Sequence, residues 1–326
     1  MSITNPSGPL KFSTIRNSLS LSGKISANTF KNSSVGILSN KFRLGLLYIP
    51  IIVENNTNKL PILISGSTYY FTFTNTGSSA SNYIIFGRNN IICDLLAVGG
   101  GGAGASAYQS IASGSQYSNY YGGGGSGGDC SSRTNYTNFK ANVTYNIRVG
   151  VGGTITTTFT NSRTNTLPTD TIIIQSGVGN VLIALSGTNA SILTNTSANG
   201  TGRGASNSSY TGGGFKSSGY TTSGNTNYTF YDGGGGAGAD PSANGTGGNG
   251  SGNGTGGKGG DGIANSITGV VKYYGAGGSG RGLYNNGIKP TSEYGTGGNG
   301  GNMGTGTDTP FPQNGTPGCV IIRFTL

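Results

Sequence analysis

The chain has 326 residues and a formal net charge of +10, although only 9% of its residues are charged. It has no histidine and nine scattered acidic residues, so it offers neither a Ser-His-Asp or Cys-His arrangement nor a spaced carboxylate pair. This composition predicts a non-enzymatic protein without a metal or another cofactor. Glycine dominates instead: seven of the 65 glycines fall in residues 1–98, which leaves 65 − 7 = 58 from residue 99 onward.

Residues 1–33 are predicted to be an N-terminal docking arm. Six Lys or Arg and no acidic residue lie between Met1 and Val53. A faint duplication, LKFSTIRNSL followed by GKISANTFKN, places Ser13 and Ser26 where each could cap a single helical turn. Two short turns cannot make a core, so we expect the arm to fold against a partner. Its charges are spread singly, which makes nucleic acid or an anionic lipid surface the weaker alternative.

Strands are predicted in the next part of the chain. Residues 34–65 form an extended or β connector, and residues 66–98 hold the first strands of a domain that continues to residue 326. In TYYFTFTNT, Phe71 and Phe73 alternate with Thr72 and Thr74, which predicts one buried and one solvated face. The longest apolar stretch, LGLLYIPIIV, is too short to cross a bilayer, and the N-terminus lacks a signal-peptide pattern. We therefore expect neither a transmembrane segment nor export by the general secretory route.

The stretch ICDLLAVGGGGAG imitates a dinucleotide-binding motif, because Gly99, Gly101 and Gly104 satisfy G-x-G-x-x-G. That motif needs a helix and then a second strand ending in an acidic residue. Here SAYQSIASGSQYSNYY follows, without a helical period. No nucleotide is expected to bind. Cys93 and Cys319 lie in apolar runs, which predicts buried free thiols.

Beyond Gly99 the expected fold is mostly β plus irregular structure, with almost no α-helix. NVTYNIRVGVG predicts a strand, DTIIIQSG and NVLIALSG predict a hairpin around residues 177–180, and residues 318–326 predict a closing strand. Glycine-rich blocks occupy residues 99–306 around these strands. Asp232 and Asp240 bracket one glycine run, where we expect solvated turn residues and, as the weaker alternative, a cation site.

The glycines of these blocks follow a period of three. In GTGGNGSGNGTGGKGGDG, residues 245–262, two of the three registers are glycine at five of six positions and the third register at one of six. The third register is polar here, and again in residues 295–306, where it holds Thr296, Asn299, Asn302 and Thr305. Three residues per turn is the repeat of polyproline II. Faces without Cβ would let such helices bond backbone to backbone as polyglycine II, with the polar register facing solvent.

Two other structures compete for these blocks. Collagen needs one glycine per triplet and much proline, whereas residues 245–262 contain no proline and about twice that share of glycine. Disorder is the more serious alternative, because ordering each residue costs roughly 1–2 kcal/mol. The segregated registers and the flanking strands favour an ordered block.

Aromatic residues lie among Ser, Gly and Asn in the segments between the glycine blocks, which is the composition of adaptable binding loops. We therefore predict receptor-binding loops that carry these residues, although they could instead cover the ends of the glycine domain or pack on neighbouring subunits. The candidates are Tyr108, Tyr117, Tyr120, Tyr121, Tyr210, Phe215, Tyr220, Tyr228, Tyr231, Tyr284 and Tyr294.

The order of LLAVGGGG, YNIRVGVGG, repeated GGGGAGA and GAGGSG blocks and a terminal GCVIIRF resembles a viral and phage glycine-rich domain family. That family includes domains similar to the tip adhesin of T-even-like phage tail fibres, in which polyglycine II helices stack as a sandwich. The arm resembles a docking segment common in phage and giant-virus particle proteins, although Thr14 and Asn17 replace acidic residues common there. The matching positions are Phe12, Ser13, Ile15, Arg16, Ile25, Ser26 and Phe30.

The resemblance implies a virion structural protein on the particle surface, a fibre, tip or minor capsid component that contributes to host attachment. Its implied partners are other virion proteins, contacted through the arm, and a host-surface receptor that is a glycan or a protein. Fibres often form homo-oligomers, but no heptad repeat here demands one. The alternative is a capsid cement protein without a receptor.

Overall fold

The computed structural model describes residues 50–74, 76, 82–112, 116–155, 165–190, 212, 216–223, 226–301 and 312–326. The predicted docking arm and its seven candidate residues lie outside this part of the chain. The strands are β1 (Ile51–Glu54), β2 (Thr57–Lys59), β3 (Ile62–Ser65), β4 (Thr68–Phe73), β5 (Tyr83–Ile85), β6 (Cys93–Val98), β7 (Tyr108–Ala112), β8 (Gln116–Tyr120), β9 (Cys130–Tyr136), β10 (Thr144–Arg148), β11 (Thr154–Ile155), β12 (Asn165–Thr166), β13 (Thr171–Gln175), β14 (Gly179–Ala184), β15 (Lys216–Ser223), β16 (Thr226–Asp232), β17 (Ile263–Asn265), β18 (Lys272–Tyr274) and β19 (Cys319–Thr325).

Two antiparallel sheets pack face to face. One has the order β14-β13-β10-β5-β1-β2 and the other the order β3-β4-β19-β6-β9. Their shared core contains Phe73, Phe86, Tyr145 and Phe324, all fully buried. The predicted strand at NVTYNIRVGVG, the hairpin and the closing strand are confirmed as β10, β13–β14 and β19. The strands before residue 66 pair into these same two sheets.

The central strands β6 and β19 of the second sheet are buried on both faces, because a third layer covers them. Leu96, Val98 and Ile321 lie on the face away from the shared core and pack against Ile267 and Tyr274. Both residues belong to the hairpin of β17 and β18, Ile267 in its connection and Tyr274 at the end of β18. Cys93 and Cys319 are buried free thiols, as predicted. Mostly β structure is therefore confirmed, and the only helical element in the described residues is a short 3-10 turn, Ala243–Gly245.

The glycine blocks form a lattice of extended segments: 99–105, 122–129, 150–153, 185–190, 233–239, 245–250, 256–261, 275–281, 295–301 and 313–318. In the first segment every third N–H group donates to the same neighbouring segment, as the threefold repeat of polyglycine II requires. The N–H groups of residues 99, 102 and 105 donate to the carbonyls of residues 129, 126 and 123. Those of Gly101 and Gly104 donate to Thr316 and Gln313, at 2.9 and 3.0 Å.

The second segment, 122–129, repeats the pattern with three other neighbours. Residues 122, 125 and 128 donate to 301, 298 and 295; residues 124 and 127 donate to 234 and 237; residues 126 and 129 donate to 188 and 185. Each threefold face thus has its own neighbour, which satisfies backbone groups that would otherwise be orphaned. The prediction of polyglycine II packing is confirmed in these segments.

Close backbone approach explains why two registers are glycine. An ideal Cβ on Gly102 would lie 1.7 Å from the carbonyl oxygen of Thr188, and one on Gly278 would lie 2.1 Å from that of Gly298. The glycines of the G-x-G-x-x-G match are part of this packing, since Gly99, Gly101 and Gly104 each donate to a backbone carbonyl oxygen. Their N–H groups bond within the protein, not to a phosphate.

The expectation that the polar register faces solvent holds only in part, and residues 245–262 form two lattice segments. The chain turns at residues 251–255, and the N–H of Gly248 in the first segment donates to the carbonyl of Lys258 in the second at 2.7 Å. Gly252 and Gly254 have positive φ in this turn. The polar register is exposed at Lys258, which pairs with Asp261 at 2.8 Å. Thr296, however, is only 2% exposed, because segment 313–318 covers it and the hydroxyl of Thr316 accepts its N–H at 2.7 Å.

The pairing directions give the molecule two distinct ends. Strands enter or leave the lattice at residues such as 99, 129, 150, 185 and 318, which mark the sandwich end. At the opposite end, here called the loop end, the chain leaves the lattice and returns to it. These departures and returns lie at residues 105 and 122, 153 and 166, 190 and 233, 250 and 256, 281 and 285, and 301 and 313.

The first described residue lies at the far side of the sandwich. Ile51 pairs with Ile85 and Val53 with Tyr83, while Tyr83 pairs with Asn146. Strand β10 runs from Thr144 toward the lattice, which it enters at Gly150. Because the ladders are antiparallel, β1 runs in the same direction as β10, so Pro50 lies at the end of the sheet away from the lattice. Residues 1–49 join the sandwich at that end.

Candidate recognition site at the loop end

The predicted Tyr-rich loops are largely strands, which corrects that part of the sequence analysis. Strands β15, β16, β8 and β7 form a four-stranded sheet in that order. Alternating Tyr, Ser and Thr suit a sheet, and the flanking lattice sets its pairing. The parallel pair β8–β16 continues as Tyr121 N–H to Tyr231 O and Gly124 N–H to Gly234 O, both 3.0 Å. Besides Tyr231, which is near the end of β16, five candidates lie on these strands: Tyr108, Tyr117, Tyr120, Tyr220 and Tyr228.

The remaining candidates separate by position. Tyr210 and Phe215 lie outside the described residues. Tyr294 lies at the sandwich end and packs against the cluster of Leu96 and Val98, which removes it from the predicted receptor surface. Tyr231 is half-buried beside the lattice. Tyr284 is at the loop end and is 69% exposed.

Tyr121 is also at the loop end but is only 5% exposed, so it cannot offer its ring to a receptor. Burial raises the pKa of its phenol to about 12. The nearby Arg281 opposes this rise in pKa, while Asp232 and Tyr284 add to it. Arg281, Asp232 and Tyr284 therefore all lie near Tyr121.

Asp232 is fully buried, and the expectation of a solvated turn residue or cation ligand is wrong for it. Its two carboxylate oxygens accept N–H groups from two different loops, Gly254 at 2.8 Å and Leu283 at 3.0 Å. A carboxylate that accepts backbone N–H groups makes stronger bonds than a neutral acceptor. Asp232 thus holds turn 251–255 and loop 282–286 together. Among the described residues, the Asp240 carboxylate accepts one N–H, that of the nearby Ser242, at 2.8 Å.

The two loops also bond to each other directly. Tyr284 and Asn285 N–H groups both donate to the carbonyl of Gly254, at 2.8 and 2.9 Å. The Tyr284 ring covers the Cα of Gly254, since an ideal Cβ there would lie 2.1 Å from Cδ2 of the ring. Arg281 Nη1 donates to Asn286 Oδ1 at 2.9 Å. An exposed ring is therefore fixed on a floor of backbone.

Residues 75–325 match the sequence model of a glycine-rich domain family. The chain belongs to the glycine-rich domain family. No curated protein matches it. In this glycine-rich domain the match covers the whole lattice and both sheets from β5 onward.

Within the described ranges, no helix is long and apolar enough to span a membrane. In the same residues, no three His, Cys, Asp or Glu side chains come together as metal ligands.

The burial of Tyr121 predicts a loss of stability at alkaline pH. Its pKa is raised in the folded state, so the unfolded chain ionises first, near pH 10, and the folded protein only near pH 12. The stability that the neutral phenol contributes is therefore complete below pH 10 and lost as the pH rises to about 12. We expect a loss on the order of 2–3 kcal/mol from this residue.

Urea unfolding at pH 8 to 12 would measure this loss, with Tyr121→Phe as the control. The variant has no phenol at position 121 to ionise, so its free energy of unfolding should fall less steeply above pH 10 than that of the unmodified protein. Identical pH dependence in the two proteins would contradict the assignment.

Proposed function

We propose that this protein is a non-enzymatic structural component of a virus or phage particle, held by residues 1–33 and displaying its loop end to a host receptor. The polarity of the fold is the observation that carries the proposal. The chain enters the described sandwich at Pro50, at the end away from the lattice, and the lattice presents its loops at the opposite end. An arm seated on a particle would therefore leave the loops outward.

The lattice gives that display a rigid support. Each segment bonds to several neighbours, and the sheet of β15, β16, β8 and β7 continues the same ladders beyond the glycines. Loops on a rigid scaffold bind with a smaller loss of conformational entropy than free loops. The virion context itself rests on the resemblance of the arm and of the order of glycine blocks.

A cement protein between capsid subunits is the second candidate, and one observation favours it. Apolar side chains on and beside edge strand β3 are exposed by more than half, as are two at the turn of the β17–β18 hairpin. They are Leu60, Ile62, Leu63, Val270 and Val271. A surface of this kind on the sandwich would suit lateral contacts with neighbouring subunits.

Deletion of residues 1–33 should abolish incorporation into particles while leaving the glycine-rich domain folded. The arm is predicted to form no core of its own and to fold only against its partner. Immunoblots of purified particles would measure incorporation, and amide exchange in residues 245–301 would control for folding. Normal incorporation of the truncated chain would contradict the proposal.

The two candidate functions, receptor display and capsid cement, differ in whether intact particles expose the loop end. Immunogold labelling with an antibody against residues 282–290 should decorate intact particles if the loop end is displayed. Labelling that appears only after the particles are disrupted would favour the cement protein.

A further inference from the structure

We propose that the loop pair 251–255 and 282–286 binds a sugar ring, which stacks on Tyr284. The inference rests on the proposed function, because it names the class of receptor that the displayed loop end contacts. The proposed site consists of these two loops, and the sheet of β15, β16, β8 and β7 is not part of it.

The Tyr284 ring is exposed to solvent on one side and packs against backbone on the other. Its exposed fraction is 69%, while its underside lies on the backbone of Gly254. A side chain at Gly254 would collide with the ring, so glycine here creates the floor on which the ring lies flat. One face of the ring is thereby left toward solvent. That face carries the negative side of the aromatic quadrupole, which attracts the polarised C–H groups of a pyranose.

Hydrogen bonds of the two loops fix the Tyr284 ring in place before any ligand binds. The backbone of Tyr284 and Asn285 bonds to Gly254, and Gly256 N–H donates to Asn285 O at 3.1 Å. Asp232 joins the same two loops from below, through Gly254 and Leu283. A ligand that uses this platform therefore loses little affinity to loop ordering.

Polar side chains form a rim around the Tyr284 ring. Asn253, Asn285 and Asn286 are exposed, and Ser251 lies beside Asn253 through a hydrogen bond from its hydroxyl to Asn253 Oδ1. Side-chain amides both donate and accept, which matches the hydroxyl groups of a sugar. Arg281 fixes one of these amides through its bond to Asn286 Oδ1.

The composition of the two loops favours a saccharide over a protein partner. Besides Tyr284, the ten residues 251–255 and 282–286 contain one apolar side chain, Leu283, which is half-buried. Protein hot spots need a cluster of aromatic, aliphatic or arginine anchors in a packed patch. A single free ring face with several amides around it is instead the arrangement that one sugar ring fills.

The test uses the full-length protein and an array of immobilised neutral and acidic oligosaccharides. We expect binding to at least one saccharide, a loss of about tenfold or more in affinity for Tyr284→Ala, and near-normal binding for Tyr284→Phe, which keeps the ring. Tyr273→Ala is the matched control, because Tyr273 is 51% exposed on the β17–β18 hairpin at the sandwich end. Its binding should equal that of the unmodified protein.

Absence of binding to every saccharide would overturn the inference, as would binding that Tyr284→Ala leaves unchanged. Attachment to host cells that survives enzymatic removal of surface glycans, yet falls in Tyr284→Ala, would assign a protein partner and overturn it too. The immunogold experiment is independent of these outcomes. Decorated particles with no saccharide binding would refute the sugar site while leaving the displayed loop end in place.

Discussion

Replacing Gly102 with alanine is expected to lower the free energy of unfolding by about 3 kcal/mol or more. The new Cβ would lie 1.7 Å from the carbonyl oxygen of Thr188 and 2.2 Å from its carbon. Neither atom can rotate away, because both belong to the backbone of a neighbouring segment. The two segments would have to separate, and the bonds from Gly187 and Ala190 to the carbonyls of Gly100 and Ala103 would lengthen.

Gly278→Ala should have a similar effect at another place in the lattice. Its Cβ would meet the Gly298 carbonyl oxygen at 2.1 Å, between segments 275–281 and 295–301. Gly278 also donates to Gly125 and accepts from Gly236, so one displaced backbone disturbs three neighbours. Strain of this kind spreads further in a lattice than in a side-chain core, where a rotamer change can absorb part of it.

Gly87→Ala is the matched control for both variants. A Cβ at Gly87 would meet nothing within 4 Å. We expect its free energy of unfolding to stay within about 0.5 kcal/mol of the unmodified protein. Urea unfolding would give the three values, and amide exchange over residues 99–105 and 275–301 would show whether the segments separate. Gly102→Ala and Gly87→Ala proteins of equal stability would refute close backbone packing.

The period of three in the sequence was sufficient to predict polyglycine II, because the period decides which faces lack a Cβ. The period alone could not predict where a segment ends, because a single exception is also compatible with a straight helix. In residues 245–262 the three exceptions to the registers are consecutive, Ser251, Gly252 and Asn253, and they coincide with the turn at 251–255, where Gly252 and Gly254 have positive φ. The turn is set by Asp232, whose carboxylate reaches Gly254 from 22 residues earlier in the chain.

The same limit applies to the candidate site. Tyr-rich composition made Tyr284 one of eleven candidates, but it could not separate this exposed residue from Tyr121, which is buried, or from Tyr294, which packs at the sandwich end. Burial depends on which lattice segments lie alongside, and those neighbours are distant in sequence. Thr296 shows this too, because its polar register is covered by segment 313–318.

The polarity of the molecule follows from one property of the lattice. Its segments bond sideways, so any connection between them must lie at an end and not within the lattice. Most connections at the sandwich end become strands with apolar faces, the polar turn at residues 240–245 being an exception, and those at the loop end carry Tyr, Ser and Asn. Loops at the loop end can therefore differ in length without altering the hydrogen-bond ladders between lattice segments.

Asp232→Ala is expected to reduce the free energy of unfolding by about 3 kcal/mol and to loosen both loops of the candidate site. The substitution removes a buried carboxylate that accepts Gly254 and Leu283 N–H groups, at 2.8 and 3.0 Å. Each donor left unsatisfied in a buried place costs roughly 1–3 kcal/mol, unless water enters to replace the carboxylate. Amide exchange at Gly254 and Leu283 should accelerate more than exchange in segment 122–129.

Asp232→Asn and Asp240→Ala complete the series. Asparagine keeps one acceptor oxygen but turns an NH₂ group toward the second N–H, so we expect a smaller loss of stability than with alanine. Asp240 brackets the same glycine run, and among the described residues its carboxylate accepts one N–H, that of Ser242 two residues away, so its removal should cost less than about 1 kcal/mol. If Asp240→Ala were as harmful as Asp232→Ala, the two loops would not depend on the buried carboxylate. The fixed orientation of Tyr284 would then have to come from the bonds to the Gly254 carbonyl alone.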